Sequence, residues 1–138
     1  MNLYDREYKI LASDVDMYRR LRLSRLFTLL QEVSIAHTEE LGMGRDKTLD
    51  RGFLWVVTMQ RVDIRRLPVY DEHVRIQSWP GRTMYVMFPR CYRMTDLSGN
   101  ILLEAAGFWM LINAETRAMI APMKEGIVIP DMSDGTDP

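Results

Sequence analysis

Two carboxylates near the start of the chain have the type and spacing for acid–base or nucleophilic chemistry. Asp14 and Asp16 lie in the segment SDVDMYRR, just before a helical pattern begins. A carboxylate there can act as a general base or a nucleophile, and the unpaired N–H groups of a first helical turn can polarise a carbonyl group. We expect Asp16 to be the catalytic carboxylate and the backbone N–H groups near Leu23 and Ser24 to be the donors. The alternative is that both carboxylates cap the loop or pair with nearby arginines.

The same segment is rich in cations. Four arginines fall within seven residues, at Arg19, Arg20, Arg22 and Arg25. Cations at an exposed helix start are unfavourable by about 0.3–1 kcal/mol each, so the cluster indicates an anionic partner. We predict that the first three of these arginines bind the substrate together with Tyr18. The alternative is a solvated face that pairs with the local carboxylates or with a neighbouring subunit.

Several polar or aromatic side chains farther along are also candidates. His37 lies on the apolar face of the helical pattern, where it is either a buried neutral side chain or part of a ligand pocket. We include it among the binding residues, together with Trp55 of the following strand. Glu32 lies nearly opposite Leu30 and is expected at the surface. Ser34 is not expected to be a nucleophile, because no GxSxG motif surrounds it.

Metal and nucleotide chemistry have no support in the sequence. The chain has one cysteine, Cys91, and two histidines, so we expect no intrachain disulfide and no metal site. It contains no Walker loop and no GxGxxG, HExxH or CxxC motif. We therefore expect no cofactor.

The elements that must position these residues follow from the hydrophobic periodicity. We predict a strand over 3–12, a loop over 13–20, a helix over 21–41, and strands over 53–66, 73–79, 83–95, 101–113 and 118–121. The helix has one apolar face, formed by Leu23, Leu26, Phe27, Leu30, Val33, Ser34, His37 and Leu41. Gly42 and Gly44 follow it as stop signals.

A single long helix with a broad apolar face needs a sheet to cover it. We therefore predict an α+β hot-dog fold, in which a long central helix is wrapped by a five- or six-stranded antiparallel sheet. One domain covers 1–130, and the acidic segment 131–138 is expected to be a disordered tail. Because such a sheet leaves an edge exposed, we expect a homodimer or homotetramer.

Composition excludes several classes of function. The 138 residues carry a formal net charge of −1, which gives no overall attraction to nucleic acid. No apolar run approaches the ~20 residues that span a bilayer, so we expect no membrane association. The first residues, MNLYDREYKI, carry charges where an export signal would be apolar. We therefore expect a cytoplasmic protein.

Five stretches of the chain together resemble the acyl-acyl-carrier-protein (acyl-ACP) thioesterases of plants and bacteria. They are LLQEVSIAH (29–37), FLWVVTMQRVDIRRLP (53–68), EHVRIQSWPG (72–81), FPRCYRMTDLSGN (88–100) and AAGFWMLINAETRAM (105–119). The resemblance covers about residues 5–122. It implies hydrolysis of acyl-ACP or acyl-coenzyme A thioesters to free acid and thiol in fatty acid biosynthesis. Acyl carrier protein or coenzyme A would then be the partner.

The chain departs from that family's pattern in two ways. The family has two hot-dog modules in one chain, and this sequence resembles the first, whereas catalysis belongs mainly to the second. Hot-dog catalytic loops also commonly carry Asn and His after the Asp, and here Tyr18 and Arg20 stand in those positions. A non-catalytic module that binds an acyl chain or a carrier is therefore the alternative function. A third is a hydratase or dehydratase using His37.

Overall fold

The computed structural model describes residues 3–132. One α-helix and five strands form its frame: β1 (Tyr4–Lys9), α1 (Leu23–Glu40), β2 (Phe53–Ile64), β3 (His73–Pro80), β4 (Met87–Asp96) and β5 (Ile101–Asn113). Short 3-10 turns lie at Ala12–Asp14, Arg45–Lys47, Leu49–Arg51 and Pro122–Glu125. The predicted combination of one long helix and a five- or six-stranded antiparallel sheet is confirmed, with five strands.

The five strands form one antiparallel sheet in the order β1-β3-β4-β5-β2. The strands β3, β4 and β5 follow each other in sequence and in space, as short turns dictate. The two strands nearest the helix in sequence, β1 and β2, lie at opposite edges. The main core lies between α1 and the sheet, and includes Leu26 and Leu30 of the helix with Ile76, Tyr92 and Leu103 of three strands.

The buried face of α1 is narrower than the sequence predicted. Its buried residues are Leu26, Leu29, Leu30, Val33, Ser34 and His37. The prediction was wrong for Leu23 and Phe27, which are 52% and 41% exposed. Their exposure leaves an apolar flank on the helix beside the covered face.

Two of the predicted strands, over 83–95 and 118–121, differ most from the structure. β4 begins at Met87 because Met84 and Met87 pair with each other across a tight turn in which Tyr85 has a φ of 63°. The predicted strand over 118–121 is reduced to a single bridge between Ile112 and Met119. Of the predicted tail, 133–138 lies outside the described residues, and the Met132 N–H donates to the Pro80 carbonyl over 2.8 Å.

Candidate functional site

A cavity of about 360 Å³ lies between the C-terminal half of α1, the segment after it, and the sheet. Its volume is within the ~300–1,000 Å³ typical of small-molecule sites. Most of the wall is apolar, formed by Ile35, Met43, Leu49, Phe53, Leu54, Trp55, Pro80, Phe88, Pro89, Trp109 and Ile129. The polar members are Gln31, Ser34, Thr38, Glu39, Arg45, Thr48 and Arg90.

Aromatic side chains from three strands build the apolar wall. Phe88 of β4 faces Trp109 of β5 in register, and both are buried. Trp55 of β2 meets the Phe88 ring edge-on, with ring centroids 4.9 Å apart and planes at 83°. That geometry is the favoured one for aromatic pairs. Trp55, which the sequence predicted as a binding residue, is therefore part of the cavity wall.

A buried arginine joins the cavity to the predicted binding residue His37. Arg90 is only 5% exposed and lines the cavity. Its Nη1 donates to His37 Nδ1 over 2.9 Å and to Ser78 Oγ over 3.1 Å. Because a guanidinium can only donate, His37 Nδ1 accepts, and the imidazole is neutral. Burial lowers the pKa of Arg90 to about 10, so the side chain keeps its charge at neutral pH.

A second buried polar chain runs beside the first. Ser34 Oγ donates to the Leu30 carbonyl over 2.9 Å, so it accepts from the Tyr92 hydroxyl. The Tyr92 oxygen in turn accepts from Trp109 Nε1 over 3.3 Å. Burial raises the pKa of Tyr92, which keeps the phenol protonated as this chain requires. The chain fixes Trp109, and with it one wall of the cavity.

Asp16 organises a tight turn before α1. Its Oδ1 accepts the backbone N–H groups of Tyr18 over 2.8 Å and Arg20 over 3.1 Å. The strand-like bridge between Val15 and Leu21 closes the same turn. Asp16 is partly exposed, so its carboxylate remains reachable from solvent.

The predicted binding residues of this turn are exposed. The Arg20 guanidinium lies over the Tyr18 ring at 5.2 Å, and Arg22 Nη2 donates to the Ser13 carbonyl over 2.6 Å. Arg19 occupies the turn with a φ of 64°. These side chains therefore form a basic surface at the N-terminal end of α1, which we call the arginine loop (residues 18–22).

Asp14 differs from Asp16 in being buried and ion-paired. Its Oδ1 accepts Arg25 Nε over 2.7 Å, and its Oδ2 accepts the Tyr8 hydroxyl and the Leu11 N–H, each over 2.8 Å. Burial alone would raise the pKa of this carboxyl, but the Leu11, Tyr8 and Arg25 donors outweigh it and lower the pKa. Asp14 therefore pairs with a local arginine, which is the alternative that the sequence left open for this residue.

The arginine loop and the cavity lie at different positions along α1. The helix begins at Leu23, whereas its first cavity residue is Gln31 and its last is Glu39. At 1.5 Å per residue these lie about 12 and 24 Å from the helix start. No side chain caps the first turn of α1, so the N–H groups near Leu23 and Ser24 remain available. Asp16 is not among the residues that line the cavity.

Arg90 was not predicted as a site residue from the sequence, although its position on β4 carries a signal. Side chains alternate along a strand, so Arg90 shares a face with Phe88 and Tyr92, and that face is apolar. A charged residue at an inward position of a strand is uncommon and marks a polar site. Met43 and Ile129, in contrast, reach the cavity from irregular segments that periodicity does not predict.

Two features of other protein classes are absent from residues 3–132. Within that range no cluster of three or more metal-ligating side chains is present. The helices within it are too short or too polar to cross a bilayer.

Comparisons with known proteins give a consistent relationship. A family model described as the acyl-ACP thioesterase N-terminal domain matches residues 1–130. The acyl-[acyl-carrier-protein] hydrolase FATB3 of Cuphea viscosissima is 24% identical over 123 residues, which are 84% of this chain and 30% of that protein. A putative oleoyl thioesterase from Lactobacillus plantarum has a TM-score of 0.81 at 24% identity, covering 95% of this chain and 55% of that one. A DHNA-CoA thioesterase from Staphylococcus aureus has a TM-score of 0.82 at 15% identity, covering 88% and 82%.

The architecture is therefore the predicted hot-dog fold. The chain belongs to the acyl-ACP thioesterase family, matching that family's N-terminal domain. It spans about 30% of the length of the curated relatives it matches.

Proposed function

We propose that this protein hydrolyses acyl thioesters of acyl carrier protein or coenzyme A to a free acid and a thiol. The observation that carries the proposal is the cavity walled by Trp55, Phe88 and Trp109, in a chain that belongs to the acyl-ACP thioesterase family. An aliphatic chain buries apolar surface there, at about 25 cal/mol per Å² removed from water. A thioester is the form in which both carriers hold such a chain.

The proposed chemistry uses Asp16 and the start of α1. Asp16 activates water, or attacks the thioester carbonyl itself, while the N–H groups near Leu23 and Ser24 stabilise the oxyanion. These N–H groups have no side-chain cap, and the helix dipole favours negative charge beside them.

The arginine loop is the proposed docking surface for the carrier. Tyr18, Arg19, Arg20 and Arg22 are exposed in the turn that also contains Asp16. Guanidinium groups bind the phosphates of coenzyme A or phosphopantetheine and an acidic protein surface. The carrier would thus deliver its thioester to the loop.

A homodimer explains how the loop and the cavity can act together. β2 is a 12-residue edge strand, and α1 exposes Leu23, Phe27 and Ile35. A long open edge and exposed apolar side chains both favour association with a second copy. We propose that a second copy covers the open edge of β2, so that the loop of one subunit meets the cavity of the other. A homotetramer would form from two such dimers.

We also propose that the protein acts in the cytoplasm. Its single cysteine, Cys91, is buried, so the fold does not depend on a disulfide formed in an oxidising compartment. Several plant relatives are named chloroplastic. Fractionation of the native cell with an antibody would test the proposal, and recovery in another compartment would contradict it.

The second candidate is a module that binds an acyl chain without cleaving it. Tyr18 and Arg20 occupy the positions where Asn and His are usual, and this departure favours the binding module. A panel of acyl-coenzyme A and acyl-ACP substrates separates the candidates. Release of free thiol well above the buffer rate supports hydrolysis, and tight binding with no release supports the binding module. Formation of a double bond in place of thiol release would indicate the dehydratase alternative with His37.

A further inference from the structure

Arg90 brings a positive charge to the wall of an otherwise apolar cavity. Its partners, the His37 imidazole and the Ser78 hydroxyl, are neutral groups. The ion pairs found between residues 3 and 132 do not include Arg90. A buried cation with only neutral partners is costly, and an anion brought beside it recovers much of that cost.

We propose that Arg90 binds a carboxylate at the end of an aliphatic chain that occupies the cavity. The proposal shares with the proposed function an acyl chain in the cavity, but it does not require hydrolysis. The planar guanidinium matches a carboxylate in shape and charge. The hydrogen bond to His37 fixes the orientation of the Arg90 guanidinium. His37 and Ser78 both accept from Nη1. The other guanidinium nitrogens can then serve the ligand.

The cavity that Arg90 lines has room for such a group. At about 30 Å³ per heavy atom, the cavity holds on the order of ten heavy atoms. Decanoate is therefore a suitable probe.

Two sources supply this chemistry. The carboxylate is either that of a free fatty acid, which is also the product of the proposed hydrolysis, or the far end of an acyl chain with carboxyl groups at both ends. Both place a carboxylate on Arg90 and methylenes against Trp55, Phe88 and Trp109. They differ in whether a thioester is present at the other end.

Calorimetric binding of decanoate and decanol to the full chain tests the proposal. Decanoate is expected to bind about tenfold to a hundredfold more tightly than decanol, because a charged hydrogen bond exceeds a neutral one. Arg90→Met should remove that preference and leave decanol binding unchanged. Arg93→Met is the matched control, since Arg93 lies on the same strand, contacts Trp79, and is absent from the cavity wall.

Equal binding of decanoate and decanol by the wild type would overturn the proposal, as would a loss of both ligands in a folded Arg90→Met. Circular dichroism checks the fold, and Arg90→Lys, which keeps the charge, should retain a preference if Arg90→Met does not fold. Decanoyl-coenzyme A and 9-carboxynonanoyl-coenzyme A then distinguish the sources. Tighter binding of 9-carboxynonanoyl-coenzyme A than of decanoyl-coenzyme A indicates the two-ended substrate. If, of these ligands, decanoate alone competes for the site, the ligand is the free acid. Thiol release is measured separately, so hydrolysis can fail while this site stands.

Discussion

Replacing Asp14 with asparagine should destabilise the fold at the N-terminus of α1. Asp14 is 1% exposed and accepts three hydrogen bonds, from Tyr8, Leu11 and Arg25. The asparagine amide lacks the negative charge that pairs with Arg25. Its NH₂ group would also face hydrogen-bond donors, which it cannot satisfy. The link between β1 and α1, which precedes the arginine loop, is thereby weakened.

The size of the effect follows from the burial of the pair. Removing one partner of a buried ion pair costs about 3–5 kcal/mol. The Arg25 side chain is 30% exposed, so water partly solvates it once it is unpaired. We therefore expect a loss of about 2–3 kcal/mol in the free energy of unfolding at pH 7.

Urea denaturation, followed by circular dichroism, measures this loss. The matched control is Asp50→Asn, which breaks the exposed pair between Arg45 and Asp50 and should cost less than about 1 kcal/mol. The pH dependence supplies a second test. Because the folded pKa of Asp14 is lowered, its contribution is complete above the unfolded pKa of about 3.9 and is lost as pH falls through the folded pKa. The difference between wild type and Asp14→Asn should therefore shrink below about pH 4.

A loss no larger than that of Asp50→Asn would refute the reasoning about the buried pair. So would a difference between wild type and variant that stays constant down to the acid transition. Either result would mean that Asp14 is solvated or neutral in the folded protein.

Three further predictions concern the loop and the cavity wall. Asp16→Asn should lower thioester hydrolysis by about a hundredfold with little change in stability, whereas Asp63→Asn should leave it unchanged; unaltered hydrolysis would remove Asp16 from the mechanism. Arg19→Glu should raise KM for acyl-ACP about tenfold and weaken its salt dependence, and a KM indifferent to the change would refute docking at this loop. Tyr92→Phe should cost about 1–2 kcal/mol in urea denaturation, because a buried serine hydroxyl and an indole N–H lose their partner. Tyr85→Phe, at a side chain that is 94% exposed, should cost nothing measurable.

The sequence predicted the fold because its periodicity is local and strong. Leu26, Leu30 and Val33 repeat at helical spacing, and β3 alternates from His73 to Ser78. Periodicity does not predict which apolar residues the rest of the fold covers, because packing between elements determines that. Leu23 and Phe27 are apolar and correctly spaced, but the sheet does not extend over them.

The candidate site was less predictable because its parts come from separate elements. The cavity exists because side chains from α1, the segment after it, four strands and the segment around Ile129 do not fill the space between them. Spacing along the chain carries no information about such a gap. The placement of Asp16 in the turn just before α1, in contrast, could be anticipated from its spacing to the helical pattern.

Mixed dimers test the central claim most directly, that the loop of one subunit serves the cavity of the other. Subunits carrying Asp16→Asn would be mixed with subunits carrying Thr38→Trp, whose indole fills the cavity. Glu40→Trp, on the same helix, is the control for the added size. After the two inactive variants are unfolded and refolded together in equal amounts, thiol release should return to about a quarter of the wild-type rate, because half the dimers then hold one intact site. A mixture that stays inactive, although mixed dimers form, would contradict the account, since it would mean that each site is built within one chain.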